Sequence, residues 1–170
     1  YNRQNLLPNC QYTQFNIKGK RPIFTSDSAE NHLVSLAEML AMYLLVWSPH
    51  CWKLVDCELG MARIPEAHYQ TYQQQLAVLK VFEAGLGKVQ RLMANMPVYM
   101  IFDDHDVTDD WNLTRGWEEA IYANPLGRRI IGNSLIAYWL CQGWGNQPQH
   151  FSLLQEDVPR YFEPTGIKYQ

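Results

Sequence analysis

Between Ser26 and Trp47 apolar side chains recur at helical spacing. Leu33, Leu36, Ala37, Leu40, Ala41, Leu44 and Trp47 share one stripe, and Met39, Met42 and Val46 fill the other face. The pattern predicts a helix capped by Ser26 or Ser28, buried nearly all round and stopped by Pro49. A second long helix is expected from Pro65, with Tyr69, Tyr72, Leu76 and Leu79 set against the polar run Gln73 to Gln75 and a break near Gly85 and Gly87. A shorter helical stretch through Val89, Leu92, Met93 and Met96 then meets Pro97. Val98-Tyr99-Met100-Ile101-Phe102 follows, an apolar run with the length and composition of a buried strand. Beyond it, Thr114 is set to cap a helix through Trp117 and Ile121. Pro125 is set to open another through Ile130, Ile131, Leu135, Ile136, Tyr138, Trp139 and Leu140, ending at Gly143 and Gly145.

The flanks are less regular. Residues 1–25 carry Asn, Gln, Pro and Gly with little periodicity and read as a connecting segment, and the polar stretch from Gln147 onward, with three prolines, reads as an irregular tail. Repeats and low-complexity tracts are absent. The sum is one domain over residues 1–170 with mostly helix and one strand, 98–102. A lone strand leaves its backbone N–H and C=O groups needing neighbours, so the expected class is α/β, with further strands supplied from outside this chain.

Composition supports a packed body. Of 170 residues 47% are apolar, and six Trp, ten Tyr and six Phe call for an interior of large rings whose polar tips need partners. A net charge of -3 gives no broad basic field, which argues against sequence-independent nucleic-acid binding. The longest apolar run, Met39 to Trp47, falls well short of the ~20 residues of a membrane span. Cys10, Cys51, Cys57 and Cys141 form neither a CxxC pair nor a zinc spacing and read as buried free thiols. The chain opens on Tyr1 with no signal pattern, so any targeting segment is expected upstream.

The chemistry concentrates at Asp103-Asp104-His105-Asp106, with Asp109 and Asp110 close behind. Adjacent carboxylates at the end of an apolar strand repel one another and lose solvation, which a bound cation offsets. Carboxylate oxygen suits hard ions, and imidazole nitrogen suits zinc, iron or manganese. A solvated acidic turn capping the next helix accounts for the aspartates equally well, since Asp is common in both settings. His105 between two acids tips the balance, because its protonated form is favoured and suits a general acid near neutral pH.

The stretch MPVYMIFDDHDVTDDWN resembles the alkaline phosphatase D-type branch of the calcineurin-like metallophosphoesterases. The flanks SDSAENHL, MYLLVWSP and NPLGRRIIGNSLIAYWLCQGWGN are similar to a bacterial subgroup of it, so the resemblance runs from about Ser26 to Asn146. It implies a metallophosphoesterase α/β sandwich and hydrolysis of phosphate mono- or diesters at a two-metal centre of divalent or trivalent ions, with iron, manganese, zinc and calcium all open. In that superfamily a strand ends in Gly-Asn-His-Asp or Gly-Asn-His-Glu. By position Asp104 stands at the metal-binding Asn, His105 at the leaving-group proton donor and Asp106 at the last acid, with Asp103 a further candidate ligand. The family's other ligand motifs have no convincing counterpart here, which implies an internal fragment with little activity alone. The resemblance leaves the compartment open between the bacterial cytoplasm and export.

The remaining candidates are weaker. Arg115, nearest the cluster, is the best phosphate-binding guanidinium, whereas Arg128 and Arg129 suit surface or helix-pairing roles. Asn31 and His32 read as caps or core contacts, and Asp109 and Asp110 as braces of the following turn. His50, His68 and His150 are isolated. Two other readings stay open: an all-helical HD-domain phosphohydrolase built on His105-Asp106, against which the β-like run argues, and a non-enzymatic helical interaction module. The substrate and oligomeric state are not legible.

Overall fold

A computed structural model describes residues 9–11, 20–22, 32–109 and 111–154. The proposed caps Ser26 and Ser28, together with Asn31, Asp110 and the tail from residue 155, lie outside the described residues. Among those described, the chain is helix-rich and all-α, not α/β. Strand pairing amounts to β1 (Asn9–Gln11) and β2 (Lys20–Pro22), three residues each, antiparallel with Cys10 opposite Arg21. This pair falls in the segment expected to be a mere connection.

The decisive correction concerns Val98–Phe102, which is extended but belongs to no ladder. No other strand lies along it among the described residues, and side chains do part of what a neighbouring strand would do. The Met100 N–H donates to Asn146 Oδ1 at 3.0 Å, Asn146 Nδ2 donates back to the Met100 carbonyl, and the Tyr138 hydroxyl reaches the same oxygen at 3.4 Å. One side-chain amide thus mimics the donor and acceptor of a paired residue. Inward, Phe102 lies 4.7 Å from the Tyr138 ring and 5.4 Å from Trp111. Tyr99 and Ile101 alternate outward at 81% and 90% exposure.

The chain divides into two compact units, Ala37–Val98 and a second formed by Tyr1–Leu36 with Tyr99–Gln170. In the first unit α1 (Leu36–Trp47) is followed by a 3-10 turn (Cys51–Leu54), α2 (Cys57–Met61) and a further 3-10 turn (Glu66–His68) that leads into α3 (Tyr69–Ala94). Helix α1 begins later than expected, residues 32–35 being non-helical, and its buried side chains are Met39 and Tyr43. The stripe expected inside is partly outside: Ala37, Ala41, Leu44 and Trp47 are exposed. An almost uniformly apolar helix carries no contrast by which the sequence can choose its inner face. Helix α3 runs straight through Gly85 and Gly87, because a Cβ at either would meet nothing and each glycine costs only ~0.5–1 kcal/mol in a helix of this length. Tyr72 ties α3 to α2 by donating its hydroxyl proton to the Cys57 carbonyl at 2.7 Å. Trp52 donates to the Leu45 carbonyl at 2.8 Å and meets Phe82 edge-on.

In the second unit α4 (Arg115–Tyr122) begins at Thr114, whose hydroxyl accepts from the Trp117 N–H, and it buries Trp117 and Ile121 as the spacing predicts. Asn124 caps α5 (Pro125–Tyr138), accepting from the Leu126 and Gly127 amides. Gly127 lies under Ile121, where a Cβ would stand 2.6 Å from its Cδ1. The core here is Trp117, Ile121, Ile130, Ile131 and Ala137. Gly143 does not stop α5, which widens into a π-helical turn (Trp139–Gly143) and continues through α6 (Trp144–Asn146), and the expected irregular tail opens with α7 (Pro148–Leu154). Among the described residues no helix is long and apolar enough to cross a membrane. Cys51, Cys57 and Cys141 are free thiols, but only half-buried or exposed rather than buried.

Candidate functional site

The acidic cluster forms a single 3-10 turn, Asp104–Asp106, directly after the extended segment. Asp103 is its N-cap, with a carboxylate that accepts from the His105 N–H at 3.0 Å, while the Asp103 N–H donates to Asp106 Oδ2 at 3.1 Å. The Asp103 side chain also accepts from the Asp106 N–H, and this bond with its reciprocal from Asp106 makes a capping box, which satisfies amides at the start of a short turn. The Val107 and Thr108 amides both donate to the Asp104 carbonyl, and buried Val107 and Thr108 seat the turn on the second unit. Asn112, in the left-handed region at φ 60°, then turns the chain toward α4 and accepts from the Tyr122 hydroxyl.

His105 is the hub of the charges. Its Nδ1 lies 3.4 Å from Asp104 Oδ1 and 3.6 Å from Asp103 Oδ1, and its Nε2 lies 3.1 Å from Asp109 Oδ1. The side chain is 61% exposed, so these are contacts in water. Asp104 does most to raise the imidazole above its ordinary range, partial loss of solvation opposes it, and Asp103 and Asp109 add to the rise.

Asp103, Asp104 and His105 each offer one ligand atom, all within 4.8 Å of one another. Two carboxylate oxygens and an imidazole nitrogen at that separation suit one divalent ion of the manganese, iron or zinc kind, with part of its coordination shell left open. They do not make a two-metal set. Asp106 is committed to the capping box and Asp109 to the far nitrogen of His105, so neither joins the group.

The other candidates are placed elsewhere. Arg115, 89% exposed, donates from Nε to Glu119 Oε1 at 2.7 Å, one helical turn on. Arg128 is exposed and Arg129 half-buried on α5. His32 is a buried core contact whose Nδ1 bonds the Leu33 carbonyl at 2.7 Å, next to the bond from Asn133 to the Val34 carbonyl. His50 and His68 are exposed. His150, isolated in the sequence, lies with Nδ1 2.8 Å from Gln147 Oε1, and neither this pair nor Asn146 is legible beforehand, because an Asn or Gln in a polar tail carries no periodic signal. Comparisons with protein-family models, with curated proteins and with solved structures find no match to this chain.

Proposed function

We propose that this chain contributes the Asp103–Asp106 turn to a metal-dependent phosphoesterase that hydrolyses phosphate mono- or diesters. The observation that carries the reading is that the Asp103 and Asp104 carboxylates and the His105 ring have polar atoms within 4.8 Å of one another, which sets a proton donor beside a pair of candidate metal ligands. The resemblance of this stretch to the alkaline phosphatase D-type branch supports it. Asp104, with Asp103, holds the metal, and its remaining ligands come from beyond the described residues. When bound, the ion supplies positive charge against the phosphate oxygens and acidifies water. His105 donates a proton to the departing oxygen, with Asp109 orienting its ring through the 3.1 Å contact at Nε2.

The test separates ligand from acid. Calorimetric titration of the chain with Mn²⁺ or Zn²⁺ is expected to show weak binding that Asp104→Ala abolishes and His105→Ala mostly keeps. In the protein encoded by the full reading frame, Asp104→Ala should lower metal content and activity together. His105→Ala should lower the rate on alkyl esters by roughly 10²–10⁴-fold, and much less on nitrophenyl esters, whose leaving groups need little protonation. Equal losses on the two esters with metal intact would remove His105 as the acid, and unchanged metal content in Asp104→Ala would remove the metal site.

A second reading has its own observation. The capping box accounts for Asp103 and Asp106 without any ligand, and α3 exposes apolar side chains, which together fit a non-enzymatic helical interaction module. Identical metal content and activity in the wild type and both variants would favour it.

A further inference from the structure

Beside the extended segment the second unit holds an open cavity of about 390 Å³, within the size range of small-molecule sites. Its walls are aromatic and its rim is polar. Trp139 forms one side and Tyr99 contributes another, with the Tyr99 side chain largely in solvent. Phe151, also in the lining and buried, packs against two rings, its centroid 4.2 Å from Trp139 and 4.4 Å from Trp144, the latter pair nearly parallel. The π-helical turn carries Trp139 at one end and Gly143 at the other, where a Cβ would stand 3.5 Å from Trp139 Cδ1. Such turns are rare and recur at functional sites.

The polar lining is selective in kind. Asn146 spends its amide on the Met100 backbone and serves as structure. Gln147 Oε1 and His150 Nδ1 lie 2.8 Å apart. If the ring donates, the Gln147 amide nitrogen remains as a donor and His150 Nε2 as an acceptor; if the amide is turned and donates, the roles exchange. Either way this pair presents one donor and one acceptor side by side. No side chain of the lining is a carboxylate, an amine or a guanidinium, so nothing there recognises a phosphate or a cation by charge.

We propose that this cavity binds a neutral planar heteroaromatic ring of the nucleobase class, stacked between Tyr99 and Trp139 and read on its donor–acceptor edge by Gln147 and His150. The presence of two aromatic side chains, Tyr99 and Trp139, and an uncharged donor–acceptor pair in one lining is what carries the assignment, and it is independent of the metal site at Asp103–Asp106. An aliphatic ligand would leave the polar pair unmatched, and a sugar alone would offer hydroxyls without a flat face to stack. Base–aromatic stacking tolerates many rings, so discrimination among bases should fall to the Gln147–His150 pair.

The experiment titrates the whole chain with uridine, N3-methyluridine, adenosine and ribose, following the Trp139 indole and Gly143 amide signals by NMR. Expected are saturable shifts with uridine and adenosine, weaker binding of N3-methyluridine, whose edge has lost its donor, and none with ribose. Tyr99→Ala, at an exposed side chain that leaves the fold intact, should weaken uridine binding about 10-fold, in line with the loss of one stacking face. Gly143→Leu should fill the cavity and abolish binding, and Gln147→Leu should erase the preference for uridine over its methylated form. Absence of saturable shifts with either nucleoside overturns the proposal. So does binding that Tyr99→Ala and Gly143→Leu both leave unchanged, or ribose binding as well as uridine.

Discussion

His105 shows how a short run of sequence sets chemistry before any tertiary contact is made. Asp103, Asp104 and Asp109 all reach its ring from within four residues, and Asp104 contributes most to the upward displacement of its pKa. In the metal-free chain an NMR titration of His105 should therefore give a midpoint above the ~6.5 of a free imidazole, and Asp104→Asn should bring it down. The sign for stability follows. The folded state favours the protonated ring, so this contribution is fully present below the unfolded value and is lost as pH rises through the raised folded value. The group lies in solvent, so added salt should shrink the displacement, and a midpoint at or below ~6.5 would contradict the geometry. Asn146 is the counterpart without charge: Asn146→Ala strips the Met100 N–H and carbonyl of their shared partner and is expected to cost about 1–3 kcal/mol, with faster hydrogen exchange at the Met100 amide.

Three glycines within helices separate close packing from open space. In α5, Gly127 faces α4, where a Cβ would stand 2.6 Å from Ile121 Cδ1 and 2.9 Å from its carbonyl oxygen. Gly127→Ala should destabilise by ~1–3 kcal/mol despite alanine's better helix propensity, since the buried crossing of α4 and α5 has no room to give. In α3, Gly85 and Gly87 face nothing within 4 Å, so alanine at either should stabilise by ~0.5–1 kcal/mol. Thermal unfolding of the three variants measures both directions at once. A stabilising Gly127→Ala would mean that α4 and α5 are not in close contact there.

At the scale of the molecule the notable quantity is the apolar surface left uncovered on α3 and just beyond it. Val78, Phe82, Val89, Leu92 and Met96 are all exposed, spaced four, seven, three and four residues apart along one face. Concentration-dependent association of the isolated chain is the expected consequence, visible by light scattering, and Phe82→Lys or Val89→Lys should reduce it. A chain that stays monomeric at millimolar concentration would show that this face is covered in solution.

Local code was legible where a single residue does a single local job. Thr114 starts α4, Pro125 opens α5, and Trp117 and Ile121 turn inward, each following from hydrogen-bond chemistry and spacing within a few positions. The convergence of Asp103, Asp104 and His105 belongs to the same class, because three adjacent residues in one turn cannot lie far apart. Tertiary structure decided the rest. Val98–Phe102 has the composition of a strand, but a strand is defined by its neighbours, and here Asn146, 46 residues away, takes one backbone donor and acceptor. The apolar stripe of α1 could not announce its own inner face, since a helix apolar on every side is oriented by what packs on it. The aromatic cavity was hidden for the same reason: Tyr99 and His150, 51 positions apart in the chain, are brought to one place only when Tyr99 meets the stretch from Trp139 to Phe151.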